Sequence, residues 1–215
     1  MPAHAHSMHA PSSLNRTALM ATLHCLTGCA IGEVLGMIIG TALGWGNAAT
    51  IALAVTLAFL FGYSLTMLPL LRAGLALGIA LPLAFASDSL SIAVMELADN
   101  GIMMAVPGAM DAGLSNPLFW GALGFALVVA FAFAYPLNRY LIARGQGHAV
   151  VHAYHAHGTD GHHKTSSQGS PRAFVLIGLA AVVLTLALTI GAVALLEDAQ
   201  EHGPTPTPTP AHTGM

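Results

Sequence analysis

Apolar runs long enough to cross a bilayer recur about five times along this chain, and that one feature decides what it can fold into. A membrane-spanning helix needs roughly 20 consecutive, mostly apolar residues. Such runs cover about Thr17–Gly44, Ala49–Leu71, an extended stretch from residue 73 to Val106, Leu118–Leu141 and Ala173–Leu196. Only 7% of the 215 residues are charged and 55% are hydrophobic, whereas a soluble domain usually carries about 25% charge. A water-soluble fold of this size has no charged surface to draw on here. The expectation is an all-α, polytopic membrane bundle of about five transmembrane helices.

The segments between the runs complete the plan. Residues 1–16 form a polar, histidine-containing arm, residues 17–144 a four-span membrane core, and residues 145–171 a histidine-rich loop. A fifth transmembrane helix follows over residues 172–197, then a Pro/Thr-rich tail over residues 198–215. The apolar stretch after Arg16 is about twice the length of a signal-peptide core, so it reads as a retained anchor. The third run, at about 34 residues, would be near 51 Å of helix. Pro82 is expected to kink it, and the part after Asp88 reads as a second half-helix or an extension past the bilayer. Pro107–Pro117 reads as a loop from its Pro, Gly and Asn content. With a cytoplasmic N-terminus, Arg16, Arg72, Arg139, Arg144, Lys164 and Arg172 all fall on the cytoplasmic side, as the positive-inside tendency requires. That orientation implies the cell inner (plasma) membrane, with the tail outside.

The first span combines two patterns. Glycines at 28, 32, 36, 40 and 44 recur at every fourth position, a stripe of small residues that lets another helix approach closely in lipid. His24 continues that row, and Cys25, Cys29 and Glu33 form the adjacent row. The chain's two cysteines therefore lie inside a span, which is no disulfide framework. Packing explains a buried cysteine readily. An intramembrane carboxylate is harder to explain that way, because it costs several kcal/mol unless it is paired, protonated or hydrated. Together His24, Cys25, Cys29 and Glu33 offer donors suited to Cu(I) or Zn(II).

The third run carries Asp88, Ile92, Met95, Asp99 and Met103 on one helical face, with Glu96 at its edge. Glu33 and Asp88 each lie about 15 residues into their runs, a similar depth at ~1.5 Å per residue. Facing one another, they would share a proton or hold a cation. The bland reading puts Glu96 and Asp99 beyond the bilayer, simply solvated. In the loop, His148, His152 and His155 share a face if helical, a spacing suited to a metal. The arm adds His4, His6 and His9. The chain shows no nucleotide-binding, hydrolase or zinc-protease signature, so no enzyme activity is assigned. Net charge is −3 with dispersed basic residues, which speaks against a nucleic-acid partner.

The segments HCLTGCAIGEVLGMIIG (24–40), SDSLSIAVMELADN (87–100), PGAMDAGL (107–114) and RGQGHAVVHAYH (144–155) resemble the bacterial integral-membrane family termed domain of unknown function 4396. The likeness covers roughly residues 17–155 and implies a four-span unit without implying a substrate. The leading functional expectation is a transition-metal site, copper first and zinc next, built from His24, Cys25, Cys29, Glu33, Asp88, Glu96 and Asp99 and fed by His148, His152 and His155. The alternative is a non-catalytic scaffold or assembly factor whose polar helix residues are structural. A third is an intramembrane redox or proton-coupled enzyme, which would need a cofactor, and the sequence shows no attachment motif for one. The expected partners are the lipid bilayer and either further copies of the chain or another membrane subunit.

Overall fold

A computed structural model describes residues 14–72, 74–144 and 171–201. The histidine arm, the loop residues His148, His152 and His155, and the Pro/Thr tail lie outside the described residues. The elements are α1 (Leu14–Leu43), α2 (Asn47–Arg72), α3 (Leu77–Ala105), α4 (Pro117–Ala143) and α5 (Pro171–Glu201). All five contain a stretch long and apolar enough to span a membrane, and no strand occurs among the described residues. The chain is a multi-pass membrane protein.

The third run is one helix. It begins at Leu77 and continues through Pro82 and Asp88 to Ala105. Proline removes one backbone bond and crowds the preceding turn, which a helix tolerates best near its N-terminal end. The turn before it uses the residues that made the run look too long. Gly74, at φ 88°, ends α2 while Leu75 N–H donates to Leu70 C=O at 3.1 Å. That bond satisfies a carbonyl the helix end would otherwise leave open. Gly44 closes α1 in the same way, with Trp45 N–H donating to Gly40 C=O at 2.9 Å.

The glycine stripe of α1 is an internal seam. A Cβ on Gly28 would lie 2.7 Å from the Gly62 Cα. One on Gly32 would meet the backbone of Ala58, one on Gly36 would meet Ala54, and one on Gly40 would meet Thr50. Each step of four residues along α1 matches a step of four back along α2, the register of an antiparallel pair at close range. Small residues on both helices allow this approach, and dispersion and close packing stabilise it where no hydrophobic force acts between helices.

Helix α3 is the hub, packed against each of the other four, while α1 also touches α4 and α5 leans on α3 and α2. Half of the α3 span is buried against 17% for α5, so α5 turns most of its surface to lipid. It seats where Gly178 meets the ring of Phe85, which stacks on Tyr63 at 4.4 Å between centroids. The alternation of helices brings Arg16, Arg72, Arg139, Arg144 and Arg172 to one end of the bundle. Arg139 Nε donates to Asn15 Oδ1 at 2.8 Å across α4 and α1 there. Exposed Trp45 and Trp120 lie at the opposite end, where aromatic side chains favour a membrane–water boundary. Pro69, Pro82 and Pro136 all fall in the half nearer the arginines.

Gly32→Leu should force α1 and α2 apart and cost about 1–3 kcal/mol or more, the range for overpacking. Gly121→Ala, where a Cβ meets nothing within 4 Å, should shift stability by less than about 0.5 kcal/mol. Thermal unfolding in detergent compares the two.

Candidate functional site

With one face of α1 committed to α2, the adjacent row is turned inward toward α3. Cys25, Cys29 and Glu33 are 1%, 2% and 6% exposed, and across from them Asp88, Glu96 and Asp99 are 0%, 2% and 3% exposed. Glu96 and Asp99 are therefore inside the bundle, which removes the reading of them as water-exposed. Three pairs result, arranged along parallel helices. Cys25 Sγ lies 3.9 Å from Asp88 Oδ1. Cys29 lies beside Glu96, and Glu33 lies beside Asp99 with Glu96 next to it.

This register corrects the expected pairing of Glu33 with Asp88. The α2–α3 turn delays the start of α3 to Leu77, and α1 begins at Leu14, about three residues before the expected Thr17. Asp88 is then about 17 Å along α3, Asp99 about 33 Å, and Glu33 about 29 Å along α1, at ~1.5 Å per residue. Glu33 meets Asp99 because their depths match. Asp88 meets Cys25 instead, about 12 Å nearer the arginine end than Glu33.

Residues that the sequence did not single out complete the polar core. Asn138 Nδ2 donates to Thr22 Oγ1 and to Ser91 Oγ, both at 3.0 Å, joining α4, α1 and α3. Ser87 Oγ donates to Asp88 Oδ1 at 2.8 Å. Asn100 Nδ2 donates to the Glu96 backbone carbonyl at 2.9 Å and reaches Glu96 Oε2 at 3.5 Å. Ser89 Oγ donates to Phe85 C=O at 2.6 Å, so the 2.9 Å contact with Tyr63 has the phenol as donor. The available signal for Asn138 was an amide at the end of an apolar run, one residue before Arg139 and six before Arg144. Asn, Ser and Thr are common enough in membrane helices that this signal does not stand out.

Two observations set the chemistry. Both carboxyl oxygens of Asp99 are buried, and no amide, hydroxyl or basic side chain among the described residues hydrogen-bonds them; the group beside them is the Glu33 carboxyl. No lysine, arginine or histidine is buried among the described residues either; His24, in the glycine row, is half-buried. Four carboxyl groups and two thiols thus share a low-dielectric interior in which no basic side chain is itself buried among the described residues. Such groups are stable there only with their charge met by protons or by a bound cation. Among the described residues, no three histidine, cysteine, aspartate or glutamate side chains are arranged to hold one metal ion. The ligand types expected of a metal site are present, but they stand in pairs.

A family model for a domain of unknown function (DUF4396) matches residues 14–147. The chain belongs to this family. The matched region of this DUF4396 member holds α1–α4 and with them all six paired residues, while α5 lies outside it. No curated protein and no solved structure matches the chain.

Asn138→Ala should cost about 1–3 kcal/mol, the penalty for stranding buried hydroxyls that lose their donor. Asp99→Asn should be neutral or stabilising, because it removes a buried acid whose hydrogen-bonding neighbour is another acid, Glu33. A loss above about 1 kcal/mol for Asp99→Asn in detergent unfolding would show that the acid holds the bundle together.

Proposed function

We propose that this protein carries protons across a membrane through the carboxyl–thiol row between α1 and α3. The observation that carries the reading is the cluster of Glu33, Glu96 and Asp99, buried together, with the Glu33 carboxyl rather than an amide, hydroxyl or basic group beside Asp99. A residue kept only to stabilise a bundle is expected to have its polar atoms satisfied. An acid left unsatisfied is held at a cost, and such costs concentrate where a group must change its protonation or binding state. Paired carboxyls also suit a proton better than a metal ion, since two oxygens can share one proton and a stable transition-metal site needs more donors. Glu33 and Asp99 would be the exchanging pair, Cys29 with Glu96 and Cys25 with Asp88 the steps toward the arginine end.

A second reading keeps a transition-metal ion, copper first, as the cation. It is supported by thiols placed directly beside carboxyls, with Cys25 Sγ 3.9 Å from Asp88 Oδ1, because sulfur donors favour soft ions. His24 and the histidines at 148, 152 and 155 would then collect the ion. In either case the arginine-bearing end would face the cytoplasm, the site would lie in the plasma membrane, and copies of the chain would associate through lipid-facing surfaces.

The test uses the full chain in lipid vesicles, with a pH-sensitive dye inside and elemental analysis of the same preparation. The expected result is proton flux above that of empty vesicles, lowered at least about tenfold by Glu33→Gln or Asp99→Asn, which equals ~1.4 kcal/mol of barrier. Flux equal to that of empty vesicles overturns the proton reading. Stoichiometric copper that disappears on Cys25→Ala with Cys29→Ala establishes the metal reading in its place. A Glu33→Gln variant altered in stability alone points to a scaffold.

A further inference from the structure

The polar row is lopsided within the bundle. At the arginine end an open cleft of about 620 Å³ lies between α1 and α4, lined by Asn15, Tyr135, Pro136, Arg139, Tyr140 and Ala143. The Arg139–Asn15 hydrogen bond crosses it at 2.8 Å. Asn15, Ala18 and Thr22 share a face of α1, about 10 Å from end to end. On α4, Asn138 directly precedes Arg139 and is level with the inner part of the cleft at Tyr135 and Pro136, so the Thr22–Asn138 link borders the cleft. Directly below come Ser91, which takes the second Asn138 bond, and Cys25 with Asp88. Polar groups thus follow one another from the cleft to Asp99, with the Asn138 amide as the narrow point that joins three helices.

The other end is built differently. Beyond Glu33 and Asp99, the space between α1, α3 and α4 is filled by Met37, Met103, Phe119 and Leu123, all buried. The turn after α3 closes over them, with Ala109 fully buried and Ala112 nearly so. Side-chain bonds hold that cap in place. Asn116 Oδ1 accepts from Leu118 N–H at 2.9 Å, and Trp120 Nε1 donates to Leu114 C=O at 2.8 Å. From Glu33 to the end of α1 is about 15 Å of helix with no buried polar side chain facing α3 or α4. An apolar constriction of this kind excludes water and blocks ions.

We infer that the α1–α4 cleft is the mouth of the acid row, that Asn138 is its gate, and that the Met37–Met103–Phe119–Leu123 plug seals the far side. This rests on the proposed function for what travels through the mouth, but the access itself is a property of the fold. Water enters from the arginine side as far as Asn138, and a small movement of α4 at Pro136, where the helix lacks a backbone bond, separates the amide from Thr22 and Ser91. The row then opens to Cys25 and Asp88. The plug stays closed, so the acids of this state exchange with one side only.

The two cysteines of the chain report the access directly. Membrane vesicles of both orientations carrying the full chain are treated with a charged, impermeant methanethiosulfonate, and mass shifts of Cys25 and Cys29 are followed. Trypsin access to the exposed arginines fixes which side is which. Cys25 should react about tenfold faster from the arginine side than from the other, the ratio given by ~1.4 kcal/mol of barrier. Asn138→Ala, or Asn138→Ser if the alanine variant fails to fold, should speed that reaction from the arginine side alone. Phe119→Ala with Leu123→Ala should admit the reagent from the far side. Equal rates from both sides, faster labelling from the far side, or a Cys25 inert from either side overturns the inference. One-sided labelling without proton flux refutes the proposed function and leaves the mouth standing; flux with far-side labelling does the reverse.

Discussion

Close contact between α1 and α2 is the constraint from which the remaining geometry follows. Glycine and alanine along both helices let the backbones approach until no side chain fits between them. An α-helix has only one angle per residue, so committing the Gly28–Gly40 row to α2 fixes where the Cys25–Cys29–Glu33 row points. It points inward. Were α1 free to rotate by one row, the carboxyl of Glu33 would leave its place opposite Asp99, and a charge or a bare polar group elsewhere in the span is costly. The seam therefore acts as an alignment device for the polar side chains beside it.

The bundle uses polar groups for two different tasks. Asn138, Thr22, Ser91, Ser89 and Tyr63 are hydrogen-bonded across helices and specify how α1, α2, α3 and α4 fit together. The acids at the centre form few such bonds, and Asp99 takes none from an amide, hydroxyl or basic group among the described residues. Hydrogen-bonded groups surround unsatisfied ones, so the framework tolerates an unfavourable centre without being built from it. That division is what a membrane protein needs if part of its interior must change charge while the rest keeps its shape.

Much of the fold was legible from composition and period alone. Five runs gave five helices with ends shifted by a few residues, and the fourfold glycine spacing marked a helix contact before any partner was visible. The inward face of α3 was equally readable, since Asp88, Ile92, Met95, Asp99 and Met103 recur on one side. What could not be read was register. Whether Glu33 meets Asp88 or Asp99 turns on where α1 and α3 each begin, and small shifts at the two starts add up to an offset that changes every partner. Nor could the partner of the glycine stripe be read, because Ala54, Ala58 and Gly62 become a groove only once α2 runs antiparallel. Asn138 escaped notice for a related reason: its meaning depends on two residues, Thr22 and Ser91, far from it in sequence.

The three helix-internal prolines have a mechanical consequence. Pro69, Pro82 and Pro136 each delete a rung of the backbone ladder, and all three deletions sit in the same half of the molecule. Compliance is therefore unevenly distributed: one half of the bundle bends cheaply while the other, closed by a tightly folded connection with Ala109 at its centre, behaves as a rigid base. A lateral stress from the surrounding lipid, or a lean of α5 against Phe85, would be absorbed where the rungs are missing.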